Sequence, residues 1–136
     1  MYSLTKLAKY FVLSLIMSNF AATYSCDNNI DMKRKLYESL LKWKNDPDRK
    51  PLVLGGARQV GKTWLIKEFG KNEYDSLVYV NFHDDVQAQS LFLQNLDVKR
   101  IMESLEAYSH KRIVAGKTLI FMDEIQEAPR GLDSLK

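Results

Sequence analysis

Residues Gly56-Ala57-Arg58-Gln59-Val60-Gly61-Lys62-Thr63 carry the pattern G-x-x-x-x-G-K-[ST], and each fixed position has its own physical task. The glycines let the backbone turn tightly and bring its N–H groups close to phosphate oxygens. The lysine places an ammonium on β- and γ-phosphates, and the threonine hydroxyl is suited to Mg²⁺. The helix that follows points its positive end at the same phosphates. Gly56 to Thr63, with Trp64 beside them, are therefore the candidate nucleotide-binding residues, and Lys62 is also a catalytic candidate.

The flanks fit this pattern. Pro51-Leu52-Val53-Leu54 is a short apolar run bounded by Pro and Gly, as expected of a buried parallel strand. Trp64, Leu65, Ile66 and Phe69 supply a helical apolar stripe, and Gly70 stands where a helix can stop. Further on, Leu119-Ile120-Phe121-Met122 predicts a strand buried on both faces, with Asp123 and Glu124 at its C-terminal end. In open α/β sheets ligands bind outside the carboxyl ends of the strands. Asp123 is thus a Mg²⁺ candidate with Thr63, and Glu124, one residue on, a candidate for polarising an attacking water.

Between these motifs the pattern alternates. Asn29 or Asp31 can cap a helix running to about Lys44, and Asn45-Asp46-Pro47-Asp48 stops it. Leu77 to Phe82 predicts a strand, Asp84-Asp85 starts a helix over Val86 to Leu93, and Asp97 caps one from Val98 to about Ile113. Strands alternating with helices imply a parallel, doubly wound α/β sheet.

The chain has 136 residues, room for at most one ordinary domain. Its 27% charged and 46% hydrophobic residues place it among globular proteins. A net charge of +3 is too small to imply nucleic acid, although Lys33, Arg34, Lys35, Lys42, Lys44, Arg49 and Lys50 cluster early; a solvated helix face or a partner surface accounts for them. Cys26 is the single cysteine, and His83 and His110 are isolated, so no zinc spacing exists.

Residues 1–31 differ from the rest. Lys6 and Lys9 precede an apolar stretch from Tyr10 to Ala22, which is shorter than the roughly 20 residues of a membrane-spanning helix. The layout is that of a signal peptide, and Thr23-Tyr24-Ser25-Cys26 has a hint of a lipid-attachment site despite the bulky Tyr24. Three readings stay open: a spurious upstream segment before Met32, a membrane anchor through residues 1–26 with the domain in the cytoplasm, or an ordinary extension.

Gly55 to Thr63, Tyr79-Val80-Asn81-Phe82, Phe121 to Pro129 with its Asp123-Glu124-Ile125-Gln126 core, and the opening Met32 to Tyr37 together resemble a prokaryotic AAA-type ATPase family. Its members join an N-terminal AAA domain to a C-terminal domain of unknown function. The resemblance spans Met32 to Lys136. It implies a P-loop NTPase fold, ATP and Mg²⁺ as cofactors, ATP hydrolysis, a cytoplasmic location, and a homo-oligomer or protein partner for the full-length form. It assigns Lys62 and Thr63 to phosphate and Mg²⁺, Asp123 to the metal and Glu124 to the water. Asn81 would restrain Glu124, or else bind strand-end backbone. The resemblance also implies a missing fourth strand, since in the family that strand lies between the phosphate-loop strand and the Asp-Glu strand. The expectation is an N-terminal fragment with the first three strands only, a vacant strand position, and weak or no turnover by the chain alone. A kinase-like phosphotransferase, or an exported protein with a vestigial nucleotide motif, are the competing functions.

Overall fold

In a computed structural model, which describes residues 11–16, 28–56 and 61–133, the chain forms a parallel sheet with helices against it. The elements in order are β1 (Phe11–Ile16), α1 (Asn28–Asn45), β2 (Leu52–Gly56), α2 (Lys62–Glu73), β3 (Ser76–Asn81), α3 (Val86–Ser90), α4 (Val98–Ser109) and β4 (Thr118–Asp123). A 3₁₀ turn, Ile125–Glu127, and α5 (Pro129–Asp133) follow. The sheet order is β2-β1-β4-β3, and every pairing is parallel.

The α/β class, the three expected strands and the small, incomplete parallel sheet stand; the difference is that the position between the phosphate-loop strand and the Asp-Glu strand is filled. β1, from the stretch with the leader-like layout, lies between the phosphate-loop strand and the Asp-Glu strand. It pairs with β2 from Val12↔Leu52 to Ile16↔Gly56 and with β4 from Phe11↔Ile120 to Leu13↔Met122. A sheet interior cannot leave a row of backbone donors and acceptors unpaired without a large cost, and residues 11–16 meet that demand. No helix of the described residues is long and apolar enough to cross a membrane. Cys26 lies outside the described residues.

The period-two alternation of the strands sorts two cores. Leu119 and Phe121 of β4 point to the face covered by α1 and α2, where they join Leu40, Ile66, Phe69 and Tyr74. Ile120 and Met122 point the other way, to Val78, Val80, Ala88, Ile101 and Leu105 under α3 and α4. All six residues of β4 are buried, as the continuous apolar run requires. Each large side chain removed from water here contributes about 1.5–3 kcal/mol.

β2 departs from the expected double burial. It is an edge strand, and while Leu52 and Leu54 pack on the α1/α2 side, Val53 is 49% exposed. Among the described side chains, the core on the other face gathers residues of β3, β4, α3 and α4, and Val53 is not one of them. Gly70 does not end its helix either: α2 continues to Glu73. Gly70 instead permits close approach, since a Cβ there would stand 3.0 Å from Leu77 Cδ1 and 3.3 Å from Leu119 Cδ2. The early cations are partly engaged: Lys44 Nζ binds Glu73 Oε2 at 2.8 Å, and the Arg49 guanidinium lies 5.3 Å from the Trp43 ring.

Helix starts follow the sequence. Asp85 caps α3 by accepting from the Ala88 N–H at 3.0 Å, and Asp97 caps α4 by accepting from the Arg100 N–H at 2.9 Å. α4 ends earlier than expected, at Ser109, because His110 turns into the left-handed region at φ 54°. Asp85 also accepts from the Tyr108 hydroxyl at 2.6 Å, tying α3 to α4. That bond, with the backbone N–H of Ala88, holds the Asp85 carboxyl below its ordinary range. Burial, then Asp85, pushes the Tyr108 hydroxyl up to about 12.

A Tyr108→Phe variant should lose about 0.5–1.5 kcal/mol at neutral pH, as expected for one hydrogen bond. Since the folded Asp85 pKa is depressed, its contribution is complete above the unfolded value and fades as pH falls through the folded one. Urea unfolding of wild type and variant should therefore differ at pH 7 and converge in acid.

Candidate functional site

The C-terminal edge of the sheet gathers the residues singled out in the sequence. β2 delivers Gly56 to that edge; Ala57, Arg58, Gln59 and Val60 lie outside the described residues. Gly61 closes the loop with φ 82°, a left-handed conformation that costs glycine nothing and strains any other residue. It is the N-cap of α2 and offers no side-chain cap. The helix's first turn therefore keeps N–H groups and dipole facing the loop, with no acidic side chain there to repel an anion.

The two motifs meet at one bond. Thr63 Oγ1 donates to Asp123 Oδ2 at 2.8 Å, across 60 residues of sequence. Asp123 is only 5% exposed, so its carboxylate requires such donors. The Tyr79 hydroxyl supplies another to the same oxygen, at 3.1 Å. Tyr79 is opposite Phe121 in the β3/β4 register, two residues before Asp123's own partner Asn81, and its ring lies 5.3 Å from that of Phe121. Burial first, then Asp123, raises the Tyr79 hydroxyl well above the ordinary tyrosine value, so it remains a donor. The phosphate-loop and Asp-Glu patterns do not mark Tyr79; it stands in the sequence only within the run Tyr79-Val80-Asn81-Phe82, and the strand register sets it opposite Phe121.

Lys62 is held below the ordinary lysine range by burial, against the opposing pull of Asp123 and then Glu124. Its ammonium is thus partly stripped of water beside two carboxylates, a position in which phosphate oxygens would replace lost hydration. Glu124 leaves the strand with φ 57°, unusual for a non-glycine residue and a sign of local constraint. Gln126 Nε2 donates to Glu124 Oε2 at 2.6 Å, and the Gln126 Oε1 atom is buried without a hydrogen-bond partner. Asn81 has the strand-end role instead: its Oδ1 accepts from the His83 N–H at 3.0 Å, and the residue is exposed.

The oxygen donors of Thr63 and Asp123 suit a hard cation. Among the described residues no group of three or more His, Cys, Asp and Glu gathers to form a protein cage. Mg²⁺ needs none, because it is held by one or two carboxylates together with substrate phosphates and water. Trp64 does not share the burial of its stripe. Leu65, Ile66 and Phe69 are buried, while Trp64 is 59% exposed at the rim.

A family model described as an AAA domain matches residues 48–136, about two thirds of the chain. Residues 32–47, part of the resemblance seen in the sequence, lie outside the match. No curated protein and no solved structure matches the chain.

Replacing Tyr79 by Phe keeps the ring against Phe121 and removes one donor from a buried carboxylate. Hydrogen bonds to charged groups contribute about 1.5–3 kcal/mol. Thermal unfolding should show a loss near the lower figure, since Thr63 still serves the same oxygen.

Proposed function

Because the chain belongs to the AAA domain family, we propose that it binds ATP with Mg²⁺ at the Gly56–Thr63 loop and hydrolyses it. The observation that carries this reading is the 2.8 Å bond between Thr63 and Asp123. Two residues selected independently, one for a hydroxyl after the loop lysine and one for a carboxylate after a buried strand, occupy one spot at the sheet's carboxyl edge.

The roles follow from position. Backbone N–H groups of the loop and the first turn of α2 receive the phosphates, with Lys62 on the outer ones. Thr63 and Asp123 would hold Mg²⁺, which when bound offsets phosphate charge. Glu124 accepts a proton from the attacking water. The water oxygen bonds to the γ-phosphorus, the bond to the bridging oxygen breaks, and ADP carries away the electron pair. Gln126 fixes the direction of the Glu124 carboxylate through its 2.6 Å bond. A module that consumes ATP belongs where ATP is abundant, which places it in the cytoplasm. The family's habit of assembly points to an oligomer or protein partner.

Titration calorimetry and phosphate release check this together. Lys62→Ala should abolish ATP binding. Glu124→Gln should keep binding and lose about 10²–10⁴-fold in turnover, the usual worth of a general base. Loss of binding in both variants, or unimpaired turnover in Glu124→Gln, contradicts the assignment. A neutral amine no longer attracts phosphate, so ATP affinity should also decline as pH rises through the lowered Lys62 value, earlier than for an ordinary lysine.

A further inference from the structure

Trp64 is the residue after the loop threonine and faces solvent, while Leu65, Ile66 and Phe69 of α2 are buried. An indole exposed at 59% costs free energy, and this one is held in place. Lys33 of α1 crosses to it, with Nζ 5.5 Å from the ring centroid. The same side chain packs against the loop, where its Cε lies 3.3 Å from the point at which a Gly61 Cβ would stand. A cation over a ring uses the negative face of the π-system and fixes the ring's tilt. The remaining ring surface is open and lies one residue from the phosphate-binding threonine.

We propose that Trp64, steadied by Lys33, is the platform on which the nucleobase of the bound nucleotide stacks. This rests on the ATP reading above and adds the base end of the ligand to it. The interaction is with the flat face of a heteroaromatic ring, so it separates nucleotides from inorganic polyphosphates. It does not separate one purine from another, since every base offers a π-face. Gly61 is part of the same device. A side chain there would press on Lys33, whose Cε would have to give by a few tenths of an ångström, and would strain the left-handed backbone.

The chain has two tryptophans, Trp43 and Trp64, which makes the test direct. In a Trp43→Phe variant the emission comes from Trp64 alone. Titration with Mg²⁺-ATP should quench it, and titration with Mg²⁺-tripolyphosphate should not. Independently of that variant, calorimetry on Trp64→Ala should show ATP binding weakened about tenfold, with tripolyphosphate affinity unchanged and Trp64→Phe close to wild type. ATP affinity unaltered in Trp64→Ala, or equal loss for both ligands, overturns the stacking site while leaving the phosphate loop standing. Binding of neither ligand to wild type overturns the ATP reading, and the base site falls with it.

Discussion

The hydrogen bond from Thr63 to Asp123 is the constraint on which the arrangement turns. Thr63 belongs to the helix after β2, Asp123 ends β4, and β1 lies between those strands. Two strand steps of about 4.8 Å separate them in the sheet, so the first turn of α2 must reach over the end of β1. That geometry requires parallel strands held at fixed offsets. β1 and β2 end level at Ile16 and Gly56, β3 and β4 at Asn81 and Asp123, and the Leu13↔Met122 pairing sets the second pair's end two residues before the first's. The bond is short because the sheet is aligned, and the alignment is maintained by cores on both faces of β4.

Around that bond the site divides into a buried half and a mobile-charge half. Asp123 is enclosed, with donors from Thr63 and Tyr79. Glu124 turns away from the strand in a left-handed conformation and is served by Gln126. A carboxylate that must remain ionised beside a cation benefits from fixed hydroxyl donors. One that exchanges a proton with water benefits from a single neutral amide that leaves its second oxygen available. The adjacent acids thus differ in environment as their proposed roles require.

Much of this was legible in the sequence because it is written in local patterns. The loop, the run Leu119–Met122 ending in Asp123 and Glu124, and the caps at Asp85 and Asp97 each depend on a few neighbouring residues. What was not legible depends on distant parts of the chain. Tyr10 to Ala22 satisfies the layout of a leader and, over residues 11–16, that of an interior strand; only the strands on either side distinguish them. Gly70 carries the mark of a helix stop, yet the requirement it meets is the approach of Leu77 from β3. Trp64 fits the apolar stripe by spacing, but the helix turns it to the rim. Asn81 and Gln126 are both amides near Glu124, and no spacing rule tells which of them reaches it; the turn after β3 engages Asn81 with the His83 N–H.

The central claim is that Thr63 and Asp123 form a Mg²⁺-assisted phosphate site, and the metal dependence of nucleotide binding tests it most directly. Calorimetric titration of the wild-type chain with ATP, in Mg²⁺ and then in excess chelator, should give clearly tighter binding with the metal. That difference should vanish in a Thr63→Val variant. Equal affinity with and without Mg²⁺, or a metal effect that survives in Thr63→Val, would contradict the account.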